Sequence, residues 1–198
     1  MEVVALVTTV NQEFDRVAMH AVRRELLEAQ ANSAGAPLWI VLLPWPCSNA
    51  DYEARMGALC ERAISQGVEA IAFGDLFLED IRRYREDQLA GTGLEPLFPL
   101  WGLPTDALAN TMMAAGLQAR LTCVDPKVIP AQLAGREFDA AFLSDLPATA
   151  DSCGERGEFH TFAYAGPMFS TPIHVIPGEI VERDGFVFAD LLLDANGQ

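Results

Sequence analysis

The residues best suited to chemistry lie in one segment, DSCGERGEFHTF, which occupies positions 151–162. Gly154 and Gly157 permit backbone angles that other residues avoid, so the segment predicts a shaped loop that enters a strand. Three side chains of this segment could hold a divalent metal through carboxylate oxygen and imidazole nitrogen: Glu155, Glu158 and His160. The competing interpretation is a hydrogen-bonded histidine beside surface carboxylates.

A cysteine nucleophile is a further interpretation of this segment, because Cys153 and His160 both belong to it. The neighbouring acids Asp151, Glu155 and Glu158 would raise the pKa of the thiol and disfavour the thiolate. Cysteine catalysis is therefore disfavoured. All four cysteines of the chain are far apart and form no C-x-x-C pair, which predicts reduced thiols rather than a structural zinc site.

A second concentration of charge follows Gly74 and Asp75, in the segment FGDLFLEDIRRYRE. Its charged residues are spaced three and four positions apart, as on one side of a helix. They are Glu79, Arg82, Arg83, Arg85 and Glu86. One interpretation is a solvated face with weak ion pairs. The functional interpretation is an arginine cluster that binds carboxylate or phosphate at the edge of a sheet.

Short apolar runs alternate with amphipathic segments in the first half of the chain, which predicts a parallel sheet covered by helices. The predicted strands are Val3–Thr8, Leu38–Leu43 and Glu69–Phe73. Between the first two, apolar residues at helical spacing, Met19 and Val22 among them, predict a helix from Arg16 to Ala34. Ser48 or Asn49 can cap the next helix.

The second half of the chain predicts a smaller α+β portion. The turn residues Asp184 and Gly185 join two apolar runs and predict a hairpin. Its strands are expected at His174–Arg183 and Phe186–Leu192. We therefore predict two parts, an α/β domain at 1–103 and a smaller α+β portion at 104–198.

Ligands of an open parallel sheet bind beyond the carboxyl ends of its strands. The segments that meet this condition are Thr8–Asn11, Pro44–Asn49, Gly74-Asp75 and Trp101-Gly102. We expect these segments to cluster in space. His20, near the beginning of the predicted helix, lies beside the same crevice, whereas His174 is expected to be ordinary strand structure.

Composition narrows the classes of function. With 13 basic and 28 acidic side chains, the net charge of -15 would repel a phosphate backbone, so nucleic acid is not an expected partner. ATP is not excluded, because Mg²⁺ and a few local arginines can hold phosphates within an acidic protein. No apolar run approaches the ~20 residues of a membrane span, and we expect a soluble, cytoplasmic protein.

Six motifs occur in this order along the chain: EVVALVTTVN, Met19-His20, FGDLFLEDIRRYRE, PLFPLWG, CGERGEFHTF and GPMF. Together they resemble the diphthine–ammonia ligase family of PP-loop ATP pyrophosphatases. The resemblance extends from about Glu2 to Leu192. It implies an α/β fold of the adenine nucleotide alpha-hydrolase type, with a Rossmann-like (HUP-type) parallel sheet and flanking helices. It also implies that residues 1–103 form the adenine nucleotide-binding domain and residues 104–198 the substrate-side portion.

The resemblance also implies an ATP-dependent amide ligase. ATP with Mg²⁺ would activate a substrate carboxylate as an acyl-adenylate, and ammonia would then displace AMP to form an amide. The matching cofactor-binding positions are Leu6, Thr8, Thr9, His20, Gly74 and Asp75. The matching substrate-binding positions are Glu79, Arg82, Glu86, Gly154 and Gly157. The matching catalytic positions are Glu155, Glu158 and His160.

The sequence departs from the family pattern at one major point. The family's Ser-Gly-Gly-x-Asp-Ser loop, together with its strand, precedes the position that matches Glu2 and has no counterpart in these residues. Without the backbone amides of that loop we expect little ATP turnover by this chain alone. The explanations are a truncated gene model, a disabled paralogue, or a homodimer or partner chain that supplies the unit.

Two other functions stay open on sequence grounds. One is a non-catalytic module that binds an adenine nucleotide or a carboxylate. The other is a metal-assisted hydrolase that uses Glu155, Glu158 and His160.

Overall fold

A computed structural model describes residues 2–194 of the chain and confirms the α/β class. The first half contains β1 (Leu6–Asn11), β2 (Arg16–Val17), α1 (Arg24–Ala34), β3 (Leu38–Leu43), α2 (Asn49–Ser65), β4 (Ala70–Ala72), α3 (Glu79–Leu89) and β5 (Glu95–Leu97). The second half contains α4 (Thr105–Ala114), β6 (Gln118–Val124), a 3-10 turn (Ala131–Leu133), α5 (Ala140–Asp145), β7 (Phe159–Ala165), β8 (Val175–Arg183) and β9 (Phe186–Leu193).

The parallel strands form two separate hydrogen-bonded pairs. β1 runs parallel to β3 over its whole length, from Leu6 opposite Leu38 to Asn11 opposite Leu43. β2 returns antiparallel along the end of β1, and β4 runs parallel to β5. Within residues 2–194, no ladder joins the β1–β3 pair to the β4–β5 pair.

Helix α2 begins where the sequence predicts. The Ser48 hydroxyl accepts a hydrogen bond from the Asp51 N–H, which satisfies one of the free amides of the first turn. The helix then buries Leu59 and Ala63 against the alternating residues of β3. The N-terminal cap and the spacing of apolar residues predict the same helix, and the structure confirms it.

The helix predicted to begin at Arg16 begins eight residues later, at Arg24. The intervening residues form β2 and a tight loop in which Met19 and Ala21 have φ angles of 61° and 54°. Such left-handed backbone cannot be part of an α-helix. The prediction that Met19 lies on a helical face is wrong, because Met19 precedes α1 and is 56% exposed.

The C-terminal part is an antiparallel sheet of four strands in the order β7-β6-β9-β8. The hairpin predicted at Asp184-Gly185 is confirmed, with φ angles of 51° and 82° at the turn. α4, α5 and the 3-10 turn contribute to the main core beside this sheet. Among residues 2–194, no helix is long and apolar enough to cross a bilayer.

A third cluster of buried residues joins the two halves of the chain. Val22, just before α1, and Leu26, in its first turn, pack with Phe162, Ile173 and Leu191 of the second half. The segment around α1 is therefore attached directly to the C-terminal sheet. The division into 1–103 and 104–198 stays a prediction, and this cluster crosses it.

Candidate functional site

The loop before β7 is organised by carboxylates that accept backbone hydrogen bonds. Glu158 is only 3% exposed, and its two oxygens accept from the N–H groups of Asp151 and Arg156, each at 2.9 Å. Asp151 Oδ1 accepts from the N–H groups of Cys153 and Glu155, and its Oδ2 accepts from the Thr105 hydroxyl. Both acids therefore have hydrogen-bond partners within the protein and tie the backbone of this loop together.

The two glycines of this loop differ in the space available for an added side chain. Gly154 and Gly157 have φ angles of 71° and 84°, which favour glycine. A Cβ atom at Gly154 would lie 2.7 Å from the carbonyl oxygen of Phe159, whereas one at Gly157 would meet nothing within 4 Å. Gly154 is therefore required both for its angle and for the close approach of the chain.

Glu155 ties this loop to the carboxyl end of β4. Its Oε1 accepts hydrogen bonds from the N–H groups of Leu76 at 2.7 Å and Phe77 at 3.4 Å. Arg156 extends over the Phe77 ring, 5.2 Å from its centroid. The segment that begins with Gly74 and the segment CGERGE, which both supply predicted site residues, are therefore in direct contact.

Arginines and aromatic rings alternate on the surface after β4 and β5. Arg82 lies 4.9 Å from the Phe98 centroid and 4.8 Å from the Trp101 centroid, and it donates to Glu86 at 2.8 Å. Phe98 stacks in turn on Phe73 at 5.6 Å. Cation–π contacts of this kind hold a guanidinium in place, and a guanidinium carries five N–H donors.

Asp75 has a partner in the same surface. Its Oδ2 lies 3.3 Å from Nε of Arg85, whose guanidinium covers Phe73 at 4.7 Å. Glu79 is the first residue of α3, where a carboxylate is favoured by the helix dipole. Arg82 and Arg85 of this helix therefore each form an ion pair and also stack on an aromatic ring.

His20, a predicted cofactor-binding residue, contacts His160, a predicted catalytic residue. Their ring centroids are 4.4 Å apart, with 36° between the planes. Burial lowers the pKa of His20, although a hydrogen bond with the backbone of Thr161 acts in the opposite direction. Burial, with a smaller contribution from the charge of His20, lowers the pKa of His160 to about 4. Both rings are therefore neutral at pH 7.

The metal and thiol interpretations gain no support from the geometry. Within residues 2–194, no three His, Cys, Asp or Glu side chains form a group that could hold a metal ion. Burial, followed by the charges of Asp151 and Glu155, raises the pKa of the Cys153 thiol to about 11. The Cys153 sulfur also lies 3.3 Å from the Thr105 carbonyl oxygen as a hydrogen-bond donor. Cys153 is thus a protonated, packed thiol at neutral pH.

The remaining predicted cofactor-binding residues all lie in β1. They are Leu6, Thr8 and Thr9, which pair with Leu38, Ile40 and Val41 of β3. Leu6 is exposed and the two threonines are half-buried. Their assignment to a nucleotide stays a prediction.

Sequence reasoning missed the residues that hold the site together. Asp190 accepts from both Arg16 and Arg23, and Thr105 anchors Asp151. One signal was present for Asp190: it is the only charged residue in the apolar run FVFADLLL. An acid in a largely buried strand requires a partner, and that partner could have been sought among the arginines.

Comparison with known proteins gives a distant relationship. No family model matches the chain. Diphthine–ammonia ligases of Bos taurus and Homo sapiens are each 30% identical over 128 residues, which are 62% of this chain and 48% of the relative. The chain thus spans about half the length of the curated relatives that it matches.

Proposed function

We propose that this chain takes part in an ATP-dependent amide ligation of the diphthine–ammonia ligase type. In this reaction a carboxylate oxygen attacks the α-phosphorus of ATP and pyrophosphate leaves. Ammonia then attacks the acyl carbon, AMP leaves with the bonding electrons, and the nitrogen loses a proton to solvent. The observation that carries the proposal is the contact of His20 with His160, since it joins a candidate cofactor-binding residue to a candidate catalytic residue.

The two histidines suit binding better than proton transfer. With a pKa of about 4, His160 is too weak a base to take a proton efficiently at pH 7. A neutral imidazole can still donate one hydrogen bond and accept another. We assign the pair to orienting the acyl-adenylate, while Arg82 supplies a positive group for the substrate carboxylate.

Mg²⁺ has no protein site in this scheme. The nearby carboxylates of Asp151, Glu155 and Glu158 accept hydrogen bonds from backbone N–H groups, and Asp75 is paired with Arg85. These groups would have to give up their partners to bind a hard cation. The proposed steps use the ion only as Mg-ATP.

A carboxylate acceptor and ammonia are the proposed substrates, with a second copy of this chain as partner. The homodimer is supported by the side of β1 that faces away from β3, where β2 pairs only with Val10 and Asn11. Exposed apolar side chains precede that point, with Val3 72% and Val4 49% exposed. Strand edges of this kind tend to pair with another chain. The cytoplasmic location stays a prediction.

A binding module without turnover is the second candidate. The observation that favours it is that Glu155 and Glu158, two of the three candidate catalytic residues, are held by backbone hydrogen bonds. Such carboxylates build a fixed surface and are poorly placed to exchange protons with a ligand.

Product analysis separates these functions. The chain is incubated with Mg-ATP, ammonium and a set of short peptides with free carboxylates, and AMP and pyrophosphate are measured. Equal release of both products that depends on ammonium and a peptide supports the ligase. Saturable AMP binding without release supports the module. The absence of both binding and release contradicts both functions.

A further inference from the structure

The segment that carries His20 is a closed loop. Its ends, Arg16 and Arg23, form an antiparallel bridge immediately before α1. Inside them, the N–H of Val17 donates to the carbonyl oxygen of Val22 at 2.8 Å, and the N–H of Ala21 donates to that of Val17 at 3.0 Å. We call residues 16–23 the His20 loop.

The His20 loop has a conformation that its own sequence does not favour. Met19 and Ala21, the two neighbours of His20, both have left-handed φ angles without being glycine. Strained residues of this kind persist where the surrounding structure imposes them, and they are concentrated at functional sites. The loop therefore depends on contacts from outside itself.

Asp190 of β9 provides such a contact at both ends of the loop. Nη1 of Arg16 donates to Oδ1 at 2.8 Å, and Nη2 of Arg23 donates to Oδ2 at 2.6 Å. The same Nη1 of Arg16 also donates to the carbonyl oxygen of Ala21 at 2.7 Å, beside His20. The carboxylate is half-buried, with 19% of its side chain exposed, so these charge-assisted bonds are only partly screened by solvent.

The C-terminal sheet has a β-bulge opposite Asp190. Pro177 of β8 pairs with Leu191, but Ala189 pairs with Ile180, so two residues of β8 lie opposite Asp190 alone. This β-bulge includes Gly178, where an added Cβ would lie 3.1 Å from the Cβ of Asp190. Bulges re-aim side chains and are frequent beside active sites.

Apolar contacts also hold the His20 loop against the C-terminal sheet. Leu191 packs with Val22 of the His20 loop and with Phe162, which lies two residues beyond His160 on β7. The apolar contacts hold the loop on the sheet, and the ion pairs close its two ends. The position of the His20 ring over His160 is the combined result.

We propose that Asp190 is a positioning residue that, through Arg16 and Arg23, holds His20 against His160 in the candidate site. This inference rests on the proposed function for the purpose of the histidine pair. The contact itself is a property of the chain that can be measured without nucleotide.

The test is an NMR titration of the histidine Cε1 protons in the wild-type chain and in Asp190→Ala. Loss of the carboxylate releases the His20 loop and admits water, so the pKa of His160 should rise from about 4 by at least ~1 unit, toward its ordinary value. Asp145→Asn is the matched control, since it breaks the ion pair of Arg136 with the last residue of α5 and should leave the pKa of His160 unchanged. Amide spectra report whether each variant is folded.

A second variant covers the case in which Asp190→Ala does not fold. Arg23→Gln leaves the bond from Arg16 to Asp190 in place and opens only one end of the loop. It should give a smaller rise in the pKa of His160. An unchanged pKa of His160 in the folded variants overturns the positioning role.

Nucleotide binding separates this inference from the proposed function. If wild-type chain binds AMP, Asp190→Ala should weaken that binding at least ~10-fold and Asp145→Asn should not. If the wild-type chain binds no nucleotide but the titration behaves as described, the proposed function fails and the positioning role stands.

Discussion

Glu155 Oε1 accepts a hydrogen bond from the Leu76 N–H at 2.7 Å, across 79 positions of sequence. This bond joins the loop before β7 to the loop after β4. A candidate catalytic carboxylate is thus the hydrogen-bonded connection between two of the sequence motifs.

Removing that connection should loosen the site. Glu155→Ala leaves the N–H groups of Leu76 and Phe77 without their acceptor, which should lower the free energy of unfolding by about 1–3 kcal/mol. Urea denaturation measures this change. Glu61→Ala, on the exposed face of α2, is the control and should change stability by less than ~0.5 kcal/mol. Equal losses in the two variants would contradict the role given to Glu155.

The two glycines of the same loop should respond unequally to alanine. Gly157→Ala introduces only the cost of a left-handed backbone, about 1 kcal/mol, because its Cβ would be in open space. Gly154→Ala adds a clash with the carbonyl of Phe159 and should cost at least ~2 kcal/mol. Thermal unfolding of both variants gives the order. A larger loss at Gly157 would show that the loop is packed differently.

The histidine pair should make the protein sensitive to mild acid. Because the pKa of His160 is about 4 in the folded chain and about 6.5 when unfolded, the unfolded chain binds the proton first as pH falls. Stability is complete above pH 6.5 and should decline by roughly 3 kcal/mol as pH falls to 4.

Denaturant midpoints between pH 7 and pH 4 measure this dependence. His160→Gln keeps a hydrogen-bonding group but removes the titration, so its curve should be flatter over the same interval. The account of a buried neutral pair is wrong if the two curves are parallel.

Arg82 should matter for binding and little for folding. Its side chain is 37% exposed and its guanidinium stacks on Phe98 and Trp101, so Arg82→Ala should weaken binding of the carboxylate substrate at least ~10-fold. The free energy of unfolding should fall by no more than about 1 kcal/mol. Arg83→Ala, one exposed position away, is the control. Unchanged affinity in both variants would remove Arg82 from the substrate side.

Local signals in the sequence predicted the elements that depend on local chemistry. Ser48 caps α2, Leu38–Leu43 is β3 with the predicted bounds, and Asp184-Gly185 forms the hairpin turn. In each case the cap, the apolar period or the turn residue acts within a few positions. Neighbouring residues are enough to specify such elements.

Elements that depend on distant contacts could not be predicted in this way. The helical spacing around Met19 is overruled because Arg16 and Arg23 bind Asp190, 167 or more positions away. In the same way, the sequence predicts Glu155 and Glu158 as metal-binding or catalytic groups or as surface carboxylates, whereas both accept backbone hydrogen bonds. Side-chain to backbone bonds of this kind leave no periodic pattern in a sequence.

The most direct test of the central claim is a calorimetric titration with AMP and, in parallel, with Mg-ATP. The wild-type chain should bind AMP saturably, and His20→Ala should weaken that binding at least ~10-fold. His174→Ala, an exposed histidine outside the pair, should bind as the wild type does. A wild-type chain that gives no saturable heat with either nucleotide would contradict the proposed function.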